Sequence, residues 1–116
     1  MDKTGKELTV PAITPIELLR LVKGRLLPVF GARLKGVVLY GSRARGDAKE
    51  DSDYDFLVLL EGPIDLDADI SIMVEAVYDL VLEFSVLIST QPADINDFES
   101  GAVGLYRNAK REGIFA

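Results

Sequence analysis

Residues 39–60 read Leu-Tyr-Gly-Ser-Arg-Ala-Arg-Gly-Asp-Ala-Lys-Glu-Asp-Ser-Asp-Tyr-Asp-Phe-Leu-Val-Leu-Leu. Two apolar runs, Lys35 to Tyr40 and Tyr54 to Leu60, flank a small, polar connection, and each has the length and residue types of a buried strand. The connection, Ser42 to Ser52, is expected to be a loop or short helix. It is too short for a crossover, so the two strands are expected to pair antiparallel. Asp53 and Asp55 stand two apart where the second run begins, which puts both side chains on one face of the strand. Two carboxylates converging there suit a hard cation such as magnesium, which is commonly held by one or two carboxylates together with substrate phosphates. At the end of the first run, Gly41 lets the chain turn sharply and approach a phosphate closely. Free backbone N–H groups in such a turn form an anion-binding nest, and the Ser42 hydroxyl adds a donor. Antiparallel pairing brings this nest beside the carboxylates.

Outward from this stretch the elements are plain. Thr14-Pro15-Ile16-Glu17 has the spacing of a capping box with proline at the first helical position, and apolar residues follow at helical spacing as far as Leu27. Gly31 is expected to end that helix. Gly62-Pro63 breaks the second strand, and Ile70, Met73, Val74, Val77, Leu80 and Val81 give the stripe of an amphipathic helix over 67–82. Phe84 to Ser89 is expected to be a third strand, with a loop from about Pro92 and a helical tail over 97–112 interrupted by Gly101 and Gly104. Residues 1–13 are expected to be a loose arm with a short extended piece at Leu8 to Val10. The fold class expected is α/β (α+β): a small mixed or antiparallel sheet of three to four strands, with helices packed mainly on one face, in a single domain over 14–116.

The 116-residue chain is large enough to fold without staples, and its 48% hydrophobic and 28% charged residues are those of a globular domain. Its longest uncharged apolar runs fall far short of the roughly 18 residues a membrane span needs. Cysteine is absent and the first residues are polar, so a cytoplasmic setting is expected. Histidine is absent too, which leaves carboxylates as the candidates for metal binding and proton transfer. A net charge of -6 argues against a broad basic face for nucleic acid, because such binding depends on neutralising many phosphates. The apolar face Leu18 to Val22 can be read as core, as a homo-oligomer contact or as a partner surface, and core is the expectation.

Taken alone, an Asp-x-Asp is more often a solvated turn than a metal site, and a lone Gly-Ser signals still less. Here a strand ending in Gly41-Ser42, ten intervening residues, and Asp53-Tyr54-Asp55 opening another strand occur together. That combination resembles the nucleotidyltransferase superfamily related to DNA polymerase β, and in particular its minimal nucleotidyltransferases. Ala44-Arg45-Gly46, Ser52-Asp53 and the ending Arg107-Asn108-Ala109-Lys110-Arg111-Glu112-Gly113-Ile114 are similar to that branch as well. The resemblance implies a polymerase β-like fold in which Gly41 and Ser42 hold the β- and γ-phosphates of a nucleoside triphosphate. Asp53 and Asp55 would bind Mg2+, or Mn2+ in its place, and Arg43 or Arg45 would stand near the phosphates. For both arginines the alternative is surface pairing with Asp47, Glu50 or Asp51.

Active members of the superfamily usually carry a third carboxylate on the later strand, and here the corresponding position falls nearer Ser89 than Glu83. Glu83 is the carboxylate that a strand beginning early would offer to the catalytic set. The resemblance further implies transfer of a nucleoside monophosphate, AMP from ATP, to a hydroxyl of a partner protein, as in antitoxins paired with helical HEPN-type toxins. The alternatives are a contact-acting antitoxin that keeps nucleotide affinity and a small-molecule adenylyltransferase of the antibiotic-modifying sort, which generally needs a second helical domain.

Overall fold

The structure, a computed structural model, describes residues 10–116. The extended piece expected at Leu8 to Val10 falls almost wholly outside the described residues. Helix α1, Pro15–Phe30, begins as expected: the Thr14 Oγ1 accepts from the Glu17 N–H at 3.1 Å, and the Glu17 carboxylate accepts from the Thr14 N–H at 2.9 Å. A single 3-10 turn, Gly31–Arg33, leads into strand β1, Leu34–Tyr40. A one-turn helix α2, Ser42–Arg45, then precedes strand β2, Tyr54–Leu60. Helix α3, Leu66–Phe84, strand β3, Ile88–Asp94, helices α4, Ile95–Ser100, and α5, Gly104–Glu112, and a two-residue strand β4, Ile114–Phe115, complete the chain.

The sheet is mixed, in the order β3-β2-β1-β4. The β1 and β2 strands pair antiparallel, as their short connection requires, while β3 lies parallel to β2 after the long return through α3. Central β2 is buried on both faces, which explains its unbroken apolar run from Phe56 to Leu60. On one face, Val37, Leu39, Phe56, Val58 and Leu60 pack against Leu18, Leu19, Val22 and Leu26 of α1 and Met73, Val77 and Leu80 of α3. The Leu18 to Val22 face of α1 is therefore core. On the other, Val38, Leu57, Leu59 and Ala93 meet Phe98 of α4 and Ala109 of α5. The two long helices thus share one layer, and two short ones cover part of the opposite face.

The third strand corrects the sequence expectation. Residues 84–87 are not its first half: α3 continues through Phe84, Ser85 caps it in the left-handed conformation (φ 52°), and β3 begins at Ile88 and runs through Pro92, where a loop was expected. β3 is an edge strand, and an edge tolerates a proline that a central strand would not. The tail is two helices rather than one interrupted one. Asp94 caps the first, its carboxylate accepting from the Asn96 and Asp97 N–H groups, and Gly101 closes it with φ 68°.

Candidate functional site: a carboxylate pair beside a glycine turn

Gly41 joins β1 to α2 with φ 77° and ψ -158°, a conformation open in practice only to glycine. Its carbonyl accepts from the Ala44 and Arg45 N–H groups, both at 3.1 Å, which winds the chain into α2. The N–H groups that open such a turn have no partner within it, so they are available to an anion. A Cβ placed on Gly41 would stand 2.9 Å from Oδ2 of Asp55. The glycine turn and the second carboxylate are thus in direct apposition, as the antiparallel pairing of β1 and β2 was expected to bring about.

Arg43 organises the connection between the two halves of the site. Its Nε donates to the Ser52 carbonyl at 3.2 Å, and its Nη2 donates to the same carbonyl at 2.9 Å and to that of Glu50 at 3.1 Å. The guanidinium also lies over the Tyr54 ring, 4.3 Å from its centroid. Arg43 is therefore a staple on backbone carbonyls, and among the described residues it pairs with none of the acidic side chains considered for it. Ser52 adds a small closed turn, its hydroxyl accepting from the Lys49 N–H at 2.9 Å. The Tyr54 N–H donates to the Leu87 carbonyl at 2.8 Å, which fixes the start of β2 and so the position of Asp53. Arg45 pairs with Asp47 at 3.2 Å and Glu112 at 3.7 Å. Such exposed pairs contribute little.

Across the sheet, Tyr40, Asp55 and Ser89 occupy one row on three neighbouring strands, in register. They share the face of Leu57 and Leu59, opposite to the long helices, at the end that the short helices leave open: Asp53, Ser89 and Gln91 are exposed and Asp55 is half-buried. Burial pushes the Asp55 carboxyl above the ordinary carboxylate range, and the charge of Asp53 pushes it further. Burial likewise raises the Tyr40 phenol, with Asp55 contributing. Among the described residues neither Asp53 nor Asp55 has an ion-pair partner, and no group of three carboxylates is assembled. Two uncompensated carboxylates with only oxygen donors fit magnesium or manganese completed by phosphate oxygens and water.

Glu83 is not brought to this site. It lies in the last turn of α3, on the layer across the sheet, where its charge acts on Arg25 of α1. Of the residues singled out in the sequence, Gly41, Ser42, Asp53 and Asp55 converge, Arg43 and Arg45 flank them, and Glu83 stands apart. Tyr40 was not singled out. Its signal was its place, one residue before the glycine turn and so opposite Asp55.

The family described as Polymerase beta, Nucleotidyltransferase matches residues 30–115, which span the sheet, the glycine turn and both aspartates. A chain in the crystal structure of a mutant of the toxin-antitoxin MntA-HpeT has a similar fold, with a TM-score of 0.55 and 20% sequence identity over 84% of this chain and 68% of that one. No curated protein matches the chain in sequence. With the matched segment covering the whole site and most of its length, the chain belongs to the polymerase β nucleotidyltransferase family.

Proposed function

We propose that this protein is a magnesium-dependent nucleotidyltransferase that moves a nucleoside monophosphate, AMP from ATP, to a hydroxyl of a partner protein, as the antitoxin of a pair whose toxin is a helical HEPN-type protein. The observation that carries the chemistry is the apposition of the Gly41 turn with Asp55 of the Asp53–Asp55 pair, which suits an anion held beside a cation. The fold's likeness to a chain of the toxin-antitoxin MntA-HpeT supports the antitoxin role, and the acidic balance of the chain suits a basic partner.

In this reading the turn at Gly41 and Ser42 grips the terminal phosphates, and Arg45 leaves Asp47 to meet them. A cation held by Asp53 and Asp55 would supply charge neutralisation at the triphosphate. The acceptor hydroxyl attacks the α-phosphorus, a new P–O bond forms, the bond to the β-phosphate oxygen breaks, and pyrophosphate leaves. The hydroxyl proton goes to solvent or to a group of the acceptor, because Ser89 is no base. Slow turnover is the consequence.

Ser89 also favours a second reading, in which the chain binds nucleotide but neutralises its partner by contact. Both are tested by incubating the protein with labelled ATP, magnesium and the protein encoded beside it, next to an Asp53→Ala, Asp55→Ala control. Label on the partner that vanishes in the control supports transfer. An unlabelled but inhibited partner supports contact, and failure to bind any nucleoside triphosphate with magnesium removes both readings.

A further inference from the structure

Helix α3 carries apolar residues on two faces, and the fold uses only one of them. Met73, Val77 and Leu80 are buried against the sheet. Leu66, Ile70, Val74, Tyr78 and Leu82 recur every fourth residue along the outside, and they are 60%, 36%, 53%, 57% and 65% exposed. Residues four apart on a helix form one continuous ridge. A surface helix needs a single apolar stripe for its own domain, so a second contiguous one marks an interaction site. Arg25 of α1 pairs with Asp79, which holds the flank of α3 next to α1. At roughly 100° per residue the ridge lies on the other flank, away from α1. Ile70, Ser71, Val74, Glu75 and Tyr78 line a shallow concavity of about 500 Å3 there.

Charge selects the occupant. Helix α3 contains no lysine or arginine, and none occurs anywhere from Glu50 to Tyr106. Asp67 and Glu75 stand beside the ridge, and among the described residues neither has an ion-pair partner. A second copy of the chain packed α3 on α3 would set these acids against their like with nothing to answer them. An anionic lipid surface would be repelled in the same way. We propose that the ridge on α3 docks an amphipathic helix of a different protein, one whose apolar stripe is flanked by lysine or arginine. A helix held against an apolar groove is anchored at positions such as i, i+3, i+4 and i+7. This surface lies on the layer opposite the carboxylate pair, so its occupancy leaves the glycine turn open.

The test uses the full chain and two labelled synthetic helices about as long as α3, alike in their leucine stripe but flanked by lysine in one and glutamate in the other. The lysine-flanked peptide should bind by fluorescence anisotropy at least about tenfold tighter than the other. Val74→Ser with Tyr78→Ser, which changes no charge and only exposed positions, should weaken it by about tenfold or more while the melting curve is unchanged. Glu75→Lys should weaken the lysine-flanked peptide and strengthen the glutamate-flanked one. Equal binding of the two peptides overturns the proposal, as does binding indifferent to Val74 and Tyr78. Sedimentation showing a dimer that Val74→Ser dissolves, or capture by phosphatidylcholine vesicles that the same change abolishes, overturns it in favour of a second copy or a membrane.

Discussion

Ser89 is the register partner of Asp55 across the parallel ladder between β2 and β3. Residues so paired present their side chains on the same face of a sheet, so a neutral hydroxyl stands next to the half-buried carboxylate at the place where family resemblance leads one to expect a third acid. Among the described residues the site holds two carboxylates and no third acid.

Ser89→Asp should restore the missing acid. The expected result is magnesium binding about tenfold tighter by calorimetry and, in the presence of a competent acceptor, transfer about 100-fold faster, the lower end of the usual range for a positioned base. The added charge should cost the metal-free fold about 1 kcal/mol through repulsion of Asp55. Unchanged magnesium affinity would mean that the β3 face does not reach the metal.

Gly41→Ala introduces both backbone strain at φ 77° and a Cβ 2.9 Å from Asp55 Oδ2. Urea denaturation should show a loss of about 2–3 kcal/mol, the scale of a forced conformation of this kind. Triphosphate binding should fall with it. A variant as stable as the wild type would show that the turn relaxes at no cost.

The pH dependence of the metal effect follows from Asp55. Its carboxyl is raised in the fold, first by burial and then by Asp53, so its favourable contribution is complete below the unfolded value of about 3.9 and is withdrawn as pH rises through the folded value. At neutral pH Asp55→Asn should therefore stabilise the metal-free protein, by about 0.5–1 kcal/mol given partial exposure. Thermal shift with magnesium should grow in the wild type as pH rises through the folded pKa of Asp55, because the proton and the cation compete. In Asp55→Asn no such shift is expected.

Arg33 and Asp69 supply the opposite sign. Arg33 donates to both carboxylate oxygens of buried Asp69, at 3.0 and 3.1 Å, and to the Glu61 and Pro63 carbonyls, tying the end of β2 to the start of α3. These bonds hold the Asp69 carboxyl below its ordinary range, so the pair stabilises above about pH 3.9 and is lost as pH falls further. Arg33→Gln should cost about 2–4 kcal/mol at pH 7, since it strands a buried carboxylate, and less at pH 3. Equal costs at the two pH values would deny the pairing.

The parts of the fold that announced themselves are those where one local signal decided the structure. The Thr14–Glu17 box started α1, the apolar run from Tyr54 to Leu60 became β2, and the short connection made β1 and β2 antiparallel, which set Gly41 against Asp55. The third strand was hidden because its identity comes from tertiary pairing. Ser89 and Gln91 face solvent at a sheet edge, Pro92 mimics a break, and the end of α3 is made by a left-handed serine with no glycine or asparagine to mark it. That displacement of β3 is also what separates Glu83 from the site and puts Ser89 in it. Arg43 illustrates a different limit: its charge was visible, but its partners are backbone carbonyls, which only the folded loop brings into reach.

Titration calorimetry of ATP with and without magnesium, on the wild type and on Asp55→Asn, probes the joint metal and triphosphate site most directly. Binding should require magnesium in the wild type and weaken by about 100-fold or more in the variant, the scale of losing one charged ligand. ATP that binds equally well without magnesium, or equally well to Asp55→Asn, would contradict a site in which the glycine turn and the carboxylate pair act together.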